Sequence, residues 1–472
     1  MKKFKLFIEN FFVYGLGGII NKIIPLIMVP IVTRIMPSSE YFGISDLSNT
    51  LLSLCTSLGI MGMYDALSRM FFEKEDKEYK REICSTAFIF TCITSLILFL
   101  IMWIFSPFIA KCFFNDEKLA YVVYIVAIAT LVGATNGIIA APTRMQNKRM
   151  VFLVMNSIGP VISYSISIPL LLAGHYVIAL PLAGLISALI NESVFLILNH
   201  KWFSLRLFKK EHFIMLIKIG LPLLPNFLIY WVFNSSDKLM ITNILGIGAA
   251  GLYSVGSKLG HASQLIYTAF SGGWQYFAFS TMKEKDQVHS NTKVFEYLGM
   301  ISFVVTAFVC GLSKPIYGVL FEQEYYESYI IAPYLFLAPL LQMLFQVAAN
   351  QFIIIKKTWP NALILSLGAV VNIISNFILI PLIGIEGAAI ATLIGYAISD
   401  IVCVIVLQKM KLMKISVNFI IATILTIVFF FMWRIILIDE LLYSLLLACA
   451  YSIVLVLLYW QDIRGLLARN KK

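Results

Sequence analysis

Charge is what this chain has least of. Only 13% of its 472 residues are Asp, Glu, Lys or Arg, while 60% are hydrophobic and the mean hydropathy is +0.89. Soluble globular domains carry about 25% charged residues, so a water-facing fold is excluded. Long polar segments are missing as well. The widest interruptions, around residues 66–82, 199–212 and 281–293, are too short to fold as extramembrane domains. The seven cysteines sit singly, with no CxxC spacing and no neighbouring His, and so point to neither disulfides nor a metal site. A P-loop, HExxH, GxSxG and a nucleotide fingerprint are all absent, so nothing suggests an ATP-driven pump, a hydrolase or any cofactor.

What is present is a succession of apolar stretches of about twenty residues, the length that crosses a bilayer. Spans are predicted near 8–33, 43–65, 83–108, 119–143, 150–172, 176–198, 212–234, 248–280, 294–312, 329–355, 360–381, 385–408, 415–435 and 441–460. They make an all-α integral membrane protein of about fourteen transmembrane helices. The opening apolar run is too long for a secretory signal and lacks a small-residue cleavage site, so it reads as a retained first span.

The formal charge of +11 is distributed by loop. One alternate set holds Lys74, Lys77, Lys80, Arg81, Arg144, Lys148, Arg149, Lys201, Arg206, Lys209, Lys210, Lys283, Lys285, Lys356, Lys357, Lys409, Lys411 and Lys414. The other has little beyond Arg34, Lys111, Lys118, Lys238, Lys314 and Arg434. The positive-inside rule makes the first set cytoplasmic, together with both termini. The basic balance therefore reports topology, and no nucleic-acid partner is expected.

A weak internal repeat sets Thr33 opposite Thr242, Ser45 opposite Ser254, Glu192 opposite Asp400 and Pro169 opposite Pro381. It suggests two six-helix lobes, 1–205 and 206–410, followed by a final helix pair and tail, 411–472. Six is even, so the lobes form a parallel repeat about an axis along the membrane normal and enclose a cavity.

Polar residues inside the spans mark that cavity. Lys22 sits mid-span, where a cation costs about 2.5 to 3.5 kcal/mol to insert. Gly15, Gly18, Lys22 and Pro25 share one helix face, beside Asn21. Ser254, Lys258, His261, Gln264, Thr268 and Gln275 form a stripe on the eighth span, with Lys258 about a third to half of the way across. Gln342, Gln346 and Asn350 repeat on the tenth, and Asn372 and Asn376 on the eleventh.

Each stripe has a plainer reading. The amides could be hydrogen-bond glue between helices. Lys22 could pair with Asp46 on the next helix. Glu192 and Asp400 could pair with loop cations, and Asp65 with Arg69 four residues on, as a helix-stabilising pair or a gate latch. The sharper reading is that Lys22 and Lys258 face one cavity as point charges for a phosphate or pyrophosphate group.

Three stretches carry a family resemblance: "TRIMPSSEYFGISDL", "SSDKLMITNILGIGAAGLYSVGSKL" and "NIISNFILIPLIGIEGAAIATLIGYAI". They resemble the Wzx-type polysaccharide transporters, oligosaccharide-lipid flippases of the superfamily that also holds the multidrug and toxin extrusion exporters and the peptidoglycan-precursor flippases. The resemblance implies two lobes in a V. It implies alternating access that carries an undecaprenyl-pyrophosphate-linked oligosaccharide (O-antigen, capsule or a related glycan) across the bacterial inner membrane, in company with glycan polymerisation or export proteins. Lys258 matches the family pattern of basic residues thought to meet the pyrophosphate, and Lys22 is assigned by position. Asn21, His261, Gln264 and Asn350 complete the expected substrate contacts, and Asp46, Asp65, Arg69, Asp237, Glu192 and Asp400 the gate or coupling groups. Pro25, Pro30, Pro222 and Pro225 would let the first and seventh helices bend. Two other readings stay open: an ion-coupled multidrug exporter needing an acid such as Asp46, and an integral-membrane glycan-assembly enzyme needing clustered acids or His on one loop.

Overall fold

The computed structural model describes residues 23–357, 359–462 and 464, and every regular element among them is helical. The chain divides into two compact units, Met1–Ser254 and Val255–Lys472.

Lipid is the solvent that decides which face each helix buries. On α4 (Lys77–Ile104), Ile93, Leu96, Ile97, Leu100 and Ile101 are exposed, whereas Ser85, Thr86, Thr91 and Ser95 are buried. This inverts the pattern of a soluble helix. Acyl tails are as apolar as leucine, so burying a large side chain gains little, while small and hydroxyl residues let backbones approach. Two of the hydroxyls bond back to their own helix: Thr86 Oγ1 donates to the Glu82 carbonyl at 2.7 Å and Ser95 Oγ to that of Cys92 at 3.2 Å.

The first unit runs through α1 (Ile23–Ile35), α2 (Ser39–Ile60), α3 (Met63–Phe71), α4, α5 (Ser106–Phe114), α6 (Ala120–Met145), α7 (Arg149–Leu172), α8 (Ala179–Asn199), α9 (Lys210–Gly220), α10 (Leu224–Leu245) and the start of α11 (Ile247–Gly260). Ser38 caps α2 by accepting from the Glu40 amide, and Asp76 caps α4 by accepting from Tyr79 N at 2.9 Å. Met61 and Gly62, both at positive φ, end α2, and α3 departs at 46°. α6 lies at the middle of the unit, packed against α2, α4 and α8. A 3-10 turn, Leu221–Leu223, holding Pro222 separates α9 from α10, where a bend is expected in the seventh span.

α2 and α11 meet backbone to backbone. A Cβ on Gly251 would run into the Ser39 carbonyl, and one on Gly43 into that of Ile247. Only glycine permits this approach, and it brings the next turn of α11, with Tyr253 and Ser254, down onto α2.

The second unit comprises α12 (Gln264–Ser280), α13 (Gln287–Leu320), α14 (Ala332–Ile354), α15 (Trp359–Lys409), α16 (Val417–Met432) and α17 (Leu441–Leu458). α14 is central, packed against α12, α13 and α15. α15 is not one straight rod. Ile383 and Gly384 leave helical geometry, and Asn372 Nδ2 reaches Thr392 Oγ1 at 3.3 Å. Twenty residues of straight helix would separate those side chains by about 30 Å, so the two halves fold back on each other. Asn372 thus ties the halves together as interhelical glue, and Asn376 donates to it at 3.4 Å from within the first half. α16 ends in a π-helical turn, Trp433–Leu437, that presents Arg434 to Glu386 through two bonds of 2.6 and 2.8 Å. Tyr334 OH donates to the same carboxylate at 2.9 Å, so one acid fastens α14, α15 and the end of α16.

Ten helices among the described residues are long and apolar enough to cross a membrane, or eleven with α2 and α3 as one bent span. That is fewer than the fourteen expected. Much of the first expected span lies outside the described residues, the eighth is divided by the 3-10 turn His261–Ser263, and the eleventh and twelfth run on as the single element α15.

The glycine crossing makes a direct prediction. Gly251→Ala should lower the thermal unfolding midpoint of the detergent-solubilised protein by an amount matching about 1 to 3 kcal/mol of overpacking. Gly184→Ala, where a Cβ meets nothing within 4 Å, should leave it unchanged.

Candidate functional site

Aspartate at position 46 lies on the buried face of α2, 3% exposed. Its carboxylate is paired with Lys238 of α10, Nζ to Oδ2 at 2.6 Å, and accepts from Ser254 Oγ of α11 at 2.7 Å. Asp237, 4% exposed, accepts the Lys238 amide at 2.9 Å and the Tyr253 hydroxyl. Two carboxylates, one ammonium and two hydroxyls from three helices thus share one buried cluster. Two turns along α10, Trp231 Nε1 donates to the Thr50 carbonyl and to Ser53 Oγ, both at 3.2 Å. The seven-residue step from 231 to 238 matches the reverse step from 53 to 46, as antiparallel helices require.

The electrostatics follow from the count. The attraction of the two carboxylates is what offsets the desolvation of the Lys238 ammonium. A buried pair of this kind loses about 3 to 5 kcal/mol when one partner is removed, because the other stays behind uncompensated. The chemistry available is exchange: either carboxylate can take a cation in place of the lysine, and the helices holding them would then be free to part.

The other expected site residues fall in several places. Lys22 and Asn21 lie outside the described residues, as does most of the face they were read to share. Lys258 is exposed in the last turn of α11. Cβ atoms on Gly256 and Gly260 would meet Ser328, Ile331, Ala332 and Leu335, so Lys258 stands level with the first turn of α14. His261 and Gln264 follow it on the same broken span, in the 3-10 turn and at the start of α12.

Asn350 is set apart from them. Ser263 Oγ donates to Phe336 O at 2.6 Å, and Gln346 Nε2 to Ser271 Oγ at 2.9 Å, so α12 and α14 run side by side in the same direction. Asn350 lies almost four turns beyond Phe336, about 20 Å at helical rise, with its Nδ2 buried and without a hydrogen-bond partner among the described residues. It belongs to the far end of the polar row, not to the neighbourhood of Lys258.

Several expected pairings are replaced. Asp65 and Arg69 are both exposed on α3, and no ion pair joins them among the described residues; Arg144, bonded to Tyr64 OH at 2.7 Å, is the cation that acts on Asp65. Glu192 is met by a hydroxyl and not by a loop cation, Thr135 Oγ1 at 2.6 Å. Among the described residues neither oxygen of Asp400 has a partner. Lys238, counted among the sparse charges of one loop set, in fact lies within α10, its side chain 14% exposed. The seventh span, expected to end at 234, runs on as helix to Leu245: Lys238 pairs with Asp46 of α2 and Asp237 bonds to Tyr253 of α11, while Asn234 and Ser236 donate back to the Tyr230 and Val232 carbonyls.

Residues 31–330 match the model of a family described as polysaccharide biosynthesis protein. Among solved structures, the lipid II flippase MurJ in an inward closed conformation superposes with a TM-score of 0.70 at 15% identity, over 97% of this chain and 99% of that one. A multidrug resistance MATE family transporter of the MOP superfamily, inward-facing, gives 0.63 at 15% identity over 84% and 98%. A MOP superfamily transporter from Pyrococcus furiosus, whose binding pocket is described as having reverse polarity, gives 0.57 at 14% over 86% and 95%. At these identities the likeness is one of fold. No curated protein matches the chain.

A double-mutant cycle tests the cluster. Asp46→Ala and Lys238→Ala should each destabilise the solubilised protein by about 3 to 5 kcal/mol, and the double variant by clearly less than their sum. Additive losses in thermal unfolding would mean that the two side chains do not interact.

Proposed function

The chain belongs to the polysaccharide biosynthesis protein family, and from that premise we propose that it is a flippase for a lipid-linked oligosaccharide. It carries an undecaprenyl-pyrophosphate-linked repeat unit of O-antigen, capsule or a related glycan from the inner to the outer leaflet of the bacterial inner membrane by alternating access. The observation that carries this reading is the conjunction of that family match with a fold shared end to end with a lipid II flippase.

Physical arguments support the direction. The basic loops and termini are read as cytoplasmic, and the membrane potential, negative inside, favours outward movement of an anion by about 2.3 kcal/mol per charge per 100 mV. Lys22 and Lys258 are proposed as pyrophosphate contacts, compact ammonium groups acting as point charges. Lys258 is exposed on its helix, so a ligand can reach it. The Asp46–Lys238–Asp237 cluster is proposed as the coupling group, because it can exchange its ammonium for another cation while its helices rearrange.

Deleting the gene should abolish surface glycan and leave lipid-linked units on the inner leaflet. The intact chain should restore export. Lys258→Ala should restore it roughly ten- to a hundredfold less well, the factor for one lost charge-assisted contact of about 1.5 to 3 kcal/mol, at equal amounts of membrane-inserted protein. Normal surface glycan in the deletion strain would refute the function. Full export by Lys258→Ala would refute only the lysine's role.

A further inference from the structure

We infer that the second unit holds a binding site for a hydrophobic ammonium ion, built on Asp400 and separate from the groups proposed for the transported lipid. Asp400 lies in the second half of α15, 7% exposed, and lines a cavity of about 360 Å³. Among the described residues neither of its carboxylate oxygens meets a hydrogen-bond donor or a cation. The remaining wall is apolar and aromatic: Phe295 and Phe303 from α13, Leu344 from α14 and Phe419 from α16. Phe419 lies 5.3 Å from Phe295 and 6.0 Å from Phe303, ring centre to ring centre. Gln408 and Thr423 are the only other polar side chains on the wall, and the Thr423 hydroxyl donates to the Phe419 carbonyl at 2.9 Å.

This is the composition of a ligand pocket, mostly apolar with one placed polar group, and its volume falls within the range of small-molecule sites. The single acid decides the ligand's charge. A metal ion is a poor fit, since hard cations take six or more oxygen ligands and the wall offers one carboxylate, one amide and one hydroxyl. A bare proton would neutralise Asp400 and leave the cavity empty. An alkyl- or arylammonium ion does both at once: its N–H groups donate to the carboxylate, and its hydrocarbon fills the space against three phenylalanine rings that also favour a cation. The ammonium can belong to a free amine or to the headgroup of an aminolipid.

The test uses the purified full-length protein in detergent and two probes of equal shape, 2-phenylethylamine and 2-phenylethanol. The amine should bind at least tenfold more tightly than the alcohol. Asp400→Asn should abolish that preference while leaving the alcohol's affinity unchanged. Should Asp400→Asn not fold, the amine-against-alcohol comparison on the unaltered protein still decides the matter. Equal binding of the two probes, or an amine preference that survives Asp400→Asn, would overturn the proposal. In the binding-positive case, displacement of the amine by phosphatidylethanolamine but not by phosphatidylcholine makes the natural ligand an aminolipid; indifference to both makes it a free amine.

Discussion

The ion pair between Asp46 and Lys238 is the interaction on which the arrangement of the first unit turns. In hydrocarbon neither charge is tolerable alone, so the helices carrying them must meet, and meet in one register. The contact of Trp231 with Thr50 and Ser53 repeats that register two turns away. Gly43 and Gly251 then let α11 descend far enough for Ser254 to reach Asp46 and Tyr253 to reach Asp237. A few polar groups specify what in a soluble protein a large apolar core would specify, because packing leucine against leucine gains little over packing it against lipid.

The second unit uses the same device with different residues. Glu386 gathers Arg434 and Tyr334, and Asn372 with Thr392 closes the two halves of α15. Lys293, at 2.7 Å from Asp462, ties the start of α13 to the segment after α17. Against these satisfied groups Asp400 stands out, since its carboxylate faces phenylalanines. Its counterpart in the internal repeat, Glu192, is bonded to a threonine. Two positions that read alike in the sequence have therefore acquired different surroundings.

Membrane class and helical architecture were legible in the sequence because the bilayer imposes them: about twenty apolar residues per span and no tolerance for unpaired backbone. The turn at Ile383–Gly384 sits where Pro381 and the glycine after Ile383 interrupt the apolar run, and the expected spans on either side end and begin there. The amide pair on α15 was legible for the same reason, since its four-residue spacing aligns both side chains on one face. What the sequence concealed was pairing. "NSSDKL" looks like a loop when read alone and becomes helix only with α2 and α11 beside it, and nothing near Asp46 in sequence names Lys238 as its partner, 192 positions away. The neighbour of Lys258 was concealed too: the residues flanking it on α11 pack on the start of α14, about seventy positions further along.

The account's central claim is that the Asp46–Lys238 pair serves movement as well as folding. Reconstituted into liposomes, the purified protein should carry a pyrophosphate-linked lipid oligosaccharide across the bilayer. A paired Asp46→Asn and Lys238→Met variant, which removes both charges with little change of volume, should keep its fold and lose most of that translocation. If the doubly neutralised protein is folded and translocates at the rate of the unaltered chain, the cluster is only a structural tie and the claim is contradicted.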